Sequence, residues 1–270
     1  PSLAKSSRQL YSLVLDARGN HNNININISG TTSGTNNLFL DSRLMLSQSV
    51  FNNKEWLCRG RIARLSLSPS TITEWTAWAG LSPDITERLT SYGNINHTST
   101  FRLDSHCNGH IEGTLQTELG NLSAQISLQD NRLKGHSSYH LGIGPLIAPA
   151  DNLPLTLSGT TDAEGTVHPL QLTSTTHLDE IQYSSTSISD VLFHNTLTGQ
   201  QWLASLTVND TDLQLQSDIK ADIASNTPLT IVSSSVVNCF KPRQLGITDR
   251  WGDASISANV QLSYSKDNNH

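Results

Sequence analysis

From residue 23 the chain reads NININIS, with Asn23, Asn25 and Asn27 alternating with Ile24, Ile26 and Ile28. Successive side chains of a strand point to opposite faces, so strict alternation predicts a strand with one apolar and one polar side. Asn is a poor strand former and Ile a good one, so the alternation carries this prediction rather than the propensity of every residue. The pattern recurs. DLQLQSDIKADIA sets Leu213, Leu215, Ile219, Ala221 and Ile223 against Gln214, Gln216, Asp218, Lys220 and Asp222. NLSAQISLQ repeats it with Leu122, Ala124, Ile126 and Leu128, NLPLTLSG with Leu153, Leu155 and Leu157, and ASISANVQLSY with Ile256, Ala258, Val260 and Leu262. HIEGTLQTEL, TFRLDSHC, WLASLTVN and RLSLSP fit the same template. Between these runs stand the turn signals CNGH, LGNLS, QDNRLKG, SGTTDAEG and VNDTD. Asn108-Gly109 in HCNGHIE predicts a hairpin. Asp179-Glu180 reads as a solvated acidic pair in a turn.

One segment departs from period two. Between Ser68 and Gly93, Ser68-Pro69 and Ser82-Pro83 each offer an N-cap followed by proline at the first helical position. Ile72, Trp75 and Ala79 share one helical face, as do Ile85 and Leu89, so two short helices are predicted. Short turn-bounded connections between strands predict antiparallel pairing. The expectation is an all-β fold: one curved antiparallel sheet over residues 1–270 with a small helical insert at 68–93.

A sheet with one apolar face must cover it. It can fold into a sandwich or barrel, or form an open gutter for an apolar ligand. The predicted wall is mostly Leu, Ile, Val and Ala, which suits an acyl chain. Carrying a sixteen-carbon tail through water costs roughly 12 kcal/mol at about 0.8 kcal/mol per CH₂, and an apolar gutter removes most of that. Alternation alone leaves both architectures open.

Composition narrows the function classes. Hydrophobic residues make up 36% and charged residues 15% of 270, with a net charge of −6. Phosphate binding along a nucleic acid needs clustered Lys and Arg, and base stacking needs aromatics, here 6%, so no nucleic-acid partner is expected. Cys58, Cys107 and Cys239 are far apart and allow at most one disulfide, so buried reduced thiols are expected. No G-x-S-x-G, HExxH, P-loop or dinucleotide fingerprint is present, and no paired carboxylates sit among aromatics as a carbohydrate hydrolase requires. No catalytic residue, cofactor or enzyme activity is expected. His106, Cys107 and His110 are close in sequence, but His106 falls on the face opposite Cys107. That leaves at most two converging ligands where zinc takes three or four, so no metal site is expected. Sequons stand at Asn27, Asn96, Asn121 and Asn209. The chain begins at Pro1 and has no apolar run of spanning length, so it reads as a segment of a longer protein.

The segment PLTIVSSSVVNCFKPRQLGITDRWGDASISANVQLSY, Pro228 to Tyr264, resembles the translocation and assembly module TamB family in its Bacteroidetes-type form. Members repeat a strand, a short segment of the type N-x-F-x-P-x-x-L-x-L-T-D-x-W, and a strand. Asn238, Phe240, Pro242, Leu245, Ile247, Thr248, Asp249 and Trp251 match that pattern. WLASLTVNDTDLQLQSDIKADIA is similar to the strand pair before the motif, and residues 121–147 and 67–81 are similar to earlier segments. The resemblance implies an AsmA-like repeating β-groove: an elongated sheet curled into an open, taco-like trough lined by aliphatic side chains. It implies a periplasmic segment of a bridge anchored in the inner membrane, acting in phospholipid transport and outer-membrane biogenesis. The implied partners are phospholipid acyl chains and an outer-membrane assembly protein of the Omp85 type. The groove lining expected on this basis is Ile24, Ile26, Ile28, Leu122, Ile126, Leu128, Leu155, Leu157, Leu213, Leu215, Ile219 and Ile223. The family carries no catalytic residues. The competing expectation is a structural or adhesive surface protein with a closed sandwich or solenoid core.

Overall fold

The computed structural model describes residues 11–20, 23–32, 39–47, 56–148, 153–223, 229–247, 250 and 258–266. The first strands are β1 (Tyr11–Asn20), β2 (Asn23–Thr32), β3 (Phe39–Ser47) and β4 (Leu57–Leu67). Helices α1 (Pro69–Trp78) and α2 (Pro83–Thr90) follow, then β5 (Ile95–Asp104), β6 (Gly109–Thr117), β7 (Gly120–Gln129) and β8 (Arg132–Gly142). After the one-turn helix α3 (Gly144–Ile147) come β9 (Leu155–Thr166), β10 (Gln171–Tyr183), β11 (Thr186–Thr198), β12 (Gln201–Asn209), β13 (Leu213–Asp222), β14 (Leu229–Phe240) and β15 (Ala258–Lys266). The protein is nearly all β. Its strands form one open antiparallel sheet in chain order, β1 through β15, that does not close on itself. The chain divides into two compact units, Pro1–Gln125 with Gly144–Asn152, and Ile126–Ile143 with Leu153–His270. The expected alternation extends to Ile256, and the motif to Thr248, Asp249 and Trp251; these four lie outside the described residues.

In the first unit both expected N-caps form. Ser68 Oγ accepts the Thr71 N–H at 3.3 Å and Ser82 Oγ accepts the Ile85 N–H at 3.4 Å, with proline beginning each helix. The buried stripe of α1 differs from the expected one. Thr71, Ile72 and Thr76 are buried, whereas Trp75 is 40% exposed and Ala79 is exposed. The reason is hydroxyl satisfaction: Thr76 donates to the Ile72 carbonyl at 2.9 Å and receives the Thr86 hydroxyl at 2.8 Å, joining α1 to α2. Arg88 of α2 donates to the Leu146 carbonyl of α3, a helix the sequence pattern did not predict.

Three turn expectations are corrected. SGTTDAEG is no turn but the body of β9, with Gly159 and Gly165 opposite Leu178 and Leu172. A Cβ on Gly165 would lie 1.9 Å from the Gln171 carbonyl oxygen, so these glycines serve close strand approach. Asp179-Glu180 lies inside β10, at a bulge. The hairpin predicted at Asn108-Gly109 does form, joining β5 to β6, but with its turn shifted toward the N-terminus: Gly109 already pairs with Leu103, and Cys107 holds the positive φ of 63°. The turn is organised by Asp104, whose carboxylate accepts the His106 and Asn108 N–H groups, each at 2.9 Å.

The bulges share a rule. Between Ile62 and Leu65, between Leu178 and Ile181, and between Val237 and Phe240, one extra residue enters and the apolar spacing changes from two to three. The same face therefore stays apolar on both sides of each irregularity.

In the second unit a packed corner forms where β11 starts, β12 ends and β13 starts. Asp210, 8% exposed, accepts the Ser189 N–H at 2.9 Å, the Ser189 hydroxyl at 2.7 Å and the Asp212 N–H at 2.8 Å. The motif segment seals it. Lys241 Nζ donates to Asp212 at 2.9 Å and to the Thr211 carbonyl at 2.8 Å, and Pro242 and Leu245 are buried. Gly246, at φ +65°, would place a Cβ 2.9 Å from the Thr186 hydroxyl, so the segment lies against the start of β11. Burial pushes the Asp210 carboxyl up, but hydrogen bonds from the Ser189 hydroxyl and from the Asp212 and Ser189 N–H groups outweigh it, leaving the group below its ordinary value. On acidification the unfolded chain therefore binds its proton first. The stabilisation is complete above the ordinary carboxylate pKa of about 3.9 and is lost as pH falls through the lower folded value. Asp210→Ala is expected to cost about 1–3 kcal/mol at neutral pH. It should also flatten the acid limb of stability, both measured by urea denaturation from neutral to acidic pH.

Candidate functional site on the uncharged sheet face

The register assigns every strand residue of the second unit to one of two faces. One face carries the rows Val191–Val208–Leu215–Val237, Leu197–Trp202–Ala221–Ile231 and Asn195–Ala204–Ile219–Ser233 across β11 to β14. On β9 and β10 it continues as Leu155–Tyr183, Leu157–Ile181 and Thr161–Thr176, and on β8 as Leu133, Tyr139 and Leu141. No Asp, Glu, Lys or Arg occupies this face anywhere from β8 to β14 among the described residues. The charges stand on the other face: Lys134, Asp162, Glu164, Glu180, Asp218 and Lys220. Asp179 and Asp190 turn to it as well, 3.1 and 3.3 Å from the two ring nitrogens of His177. In the first unit Ile24, Ile26 and Ile28 pair with Gly19, Ala17 and Leu15 on one side and with Leu46, Leu44 and Ser42 on the other. That face continues through Cys58, Gly60 and Ile62 to Leu103, Phe101 and Ser99.

The uncharged face is not packed shut. Among the described strand residues of the second unit, the hydrophobic side chains less than a tenth exposed are Val191, Ala204, Val208 and Ala221. Their larger neighbours Phe193, Trp202, Leu206, Leu215 and Ile219 are only half-buried. A closed sandwich buries such residues against a second layer, and every described element of this unit belongs to the one sheet. Phe193 and Trp202 touch one another, ring centroids 6.5 Å apart.

Of the residues predicted to line a groove, Leu155, Leu157, Leu213, Leu215 and Ile219 are on the uncharged face of the second unit. Ile223 lies just past the end of β13, 47% exposed. Ile24, Ile26 and Ile28 are half-buried in the first unit; on β7, Leu122 and Leu128 are half-buried and Ile126 is 48% exposed. Sequence reasoning missed Val191, Phe193 and Leu197 of β11, whose period-two series is interrupted by Asn195. Asn195 fits the face because its amide donates to Ser174 at 2.6 Å.

Polar atoms on this face satisfy each other. Ser217 bonds Ser235 at 2.8 Å and Ser233 at 3.2 Å, and Thr161 bonds Thr176 at 2.9 Å and Tyr139 at 3.3 Å. A hollow of about 460 Å³ in the second unit opens on the charged side instead, among His194, Leu203, Asp218, Lys220 and Val232.

All three cysteines are free. Cys107 is exposed, against the expectation of buried thiols, because it occupies the tip of the β5–β6 turn; burial pushes the half-buried Cys58 thiol up. Among the described residues no three His, Cys, Asp or Glu side chains converge as metal ligands, and no helix is long and apolar enough to cross a membrane. Comparison of the chain with protein-family models, curated proteins and solved structures finds no match.

The serine trio gives a direct test of how polar atoms are held on the apolar face. Ser217→Ala alone removes the shared partner and is expected to cost about 1 kcal/mol; replacing Ser217, Ser233 and Ser235 together with Ala is expected to be nearly neutral. Equilibrium urea unfolding of the single and triple variants measures both.

Proposed function

We propose that the chain is a lipid-carrying segment, whose uncharged sheet face receives the acyl chains of phospholipid while the opposite face meets water. The observation that carries this reading is the segregation of charge from β8 to β14 among the described residues, with large apolar side chains such as Trp202, Leu215 and Ile219 not fully buried. An acyl chain moving along such a wall meets no ionised group. The hydroxyls of Ser217, Ser233 and Ser235 and of Thr161, Thr176 and Tyr139 are already paired, so they present little unsatisfied polarity. The Pro242–Leu245 corner gives the matched motif a structural part, holding the end of β14 against the β12–β13 turn. In the TamB-like setting the segment sits in the periplasm, as part of a bridge anchored in the inner membrane. It acts there in phospholipid transport and outer-membrane biogenesis with an Omp85-type partner, and it is not an enzyme.

The test places a carboxylate on the wall. Leu215→Asp and Ile26→Asp are made separately, and phospholipid co-purifying with the folded chain is read by native mass spectrometry. On an open, partly exposed wall each variant should fold, with bound lipid reduced by about tenfold, the effect of ~1.4 kcal/mol. In a closed core the same change would strand a buried charge, cost several kcal/mol and unfold the chain. Unfolding would therefore overturn the open wall. Folded variants with an undiminished lipid load, or a parent chain that carries no lipid, would overturn lipid carriage.

A further inference from the structure

On the polar face of the first unit the register sets like charges directly opposite each other twice in succession. Arg43 of β3 pairs with Arg61 of β4, and Arg59 of β4 pairs with Arg102 of β5. Arg59 and Arg61 are two residues apart on one strand, so all four share one face. Directly opposite residues are about 5 Å apart at Cβ, and like charges so placed are destabilising unless something neutralises them. Nothing described does. None of the four makes an ion pair or side-chain hydrogen bond with any described residue, and all four are exposed. Of the nearby acids on this face three are engaged elsewhere, and Asp41, opposite Arg64, pairs with none of the four. Asp104 caps the β5–β6 turn, Glu112 accepts the Thr100 hydroxyl at 2.9 Å, and Asp16 holds Arg18 at 3.0 Å. In a chain of net charge −6 this is a local concentration of unneutralised positive charge.

We propose that this arginine quartet is a docking surface for the phosphate groups of anionic phospholipid at a membrane surface. Guanidinium forks match phosphate oxygens in pairs and accept partial dehydration better than ammonium groups. The four groups come from three adjacent strands and form an exposed array, which suits a plane of phosphates. Apolar side chains are interleaved on the same polar face: Met45, 41% exposed and opposite Arg59, and Val14, 57% exposed. Basic residues mixed with exposed apolar ones are the composition of a surface that rests in a headgroup region. This surface is on the face opposite the apolar wall of its unit, so it is independent of acyl-chain carriage and stands or falls separately from it.

The test is co-sedimentation of the whole chain with vesicles of phosphatidylglycerol and phosphatidylcholine, against vesicles of phosphatidylcholine alone. Binding is expected only to the anionic vesicles, and it should weaken as salt rises. Each of Arg43→Gln, Arg59→Gln, Arg61→Gln and Arg102→Gln should weaken it about fivefold, and the fourfold variant should abolish it. Arg132→Gln with Lys134→Gln, in the second unit, should leave it unchanged. The fourfold variant should melt no lower than the parent, since it relieves repulsion. A parent that ignores anionic vesicles, or a fourfold variant that still binds them, overturns the proposal. So does a fourfold variant with a lowered melting temperature, because the arginines would then hold the fold through partners of their own. Displacement by millimolar inorganic phosphate, tighter binding to duplex DNA than to vesicles, or arginine-dependent self-association without lipid would each replace the membrane surface with another occupant.

Discussion

The architecture turns on keeping one face of a single-layer sheet free of charge, as β8 to β14 do among the described residues. Side chains alternate with period two, so a slip of one residue in any strand would carry its charges onto the apolar face and its isoleucines or leucines into water. Fifteen strands laid in chain order offer many places for such a slip. The bulges show how it is avoided. Where β4, β10 and β14 each admit an extra residue, the apolar spacing lengthens from two to three and the correct face resumes. In β10 and β11 the extra residues Asp179 and Asp190 come opposite one another, so the pairing of those two strands continues in phase.

That same constraint explains where tight packing is found. A one-layer sheet cannot exclude water from the middle of its faces by stacking, and of the buried polar residues described, Ser68, Thr71, Thr76 and Asp210 stand at its ends and connections while Ser217 lies within β13. The Asp210 carboxylate fixes the β12–β13 turn to β11, the Asp104 carboxylate orders the β5–β6 turn, and Thr71, Thr76 and Ser68 join the two capped helices. Small polar residues with short, satisfied hydrogen bonds do there what a large hydrophobic core does in a sandwich.

Much of the architecture was legible because alternation is a local signal. The strand containing Leu213 to Ala221 and the one containing Ile24 to Ile28 follow directly from their patterns, and the Ser-Pro pairs located both helices. What was illegible depended on non-local partners. SGTTDAEG looks like a turn until its glycines are seen to sit beneath close-lying neighbours at His177 and Gln171. Asn108-Gly109 lost the turn centre to Asp104, whose carboxylate captures two backbone N–H groups. The β11 part of the uncharged face was hidden by Asn195, a polar residue whose amide is satisfied only by Ser174 on the next strand. The Arg43–Arg61 and Arg59–Arg102 pairs were beyond reach for the same reason, since opposition is a property of register and not of spacing along the chain.

A sheet whose spatial order copies its sequence order has the energetics of a one-dimensional array. Each inner strand is held by two neighbours, and the free energy is close to a sum of hairpin and nearest-neighbour terms. Adding or removing a hairpin changes the strand count by two, which preserves both the antiparallel direction and the identity of the apolar face for every strand downstream. Adding a single strand would reverse direction and send the chain to the wrong end. Such a fold can lengthen or shorten in steps of one hairpin without redesign of what remains, and reach becomes a quantity that evolution can set by counting.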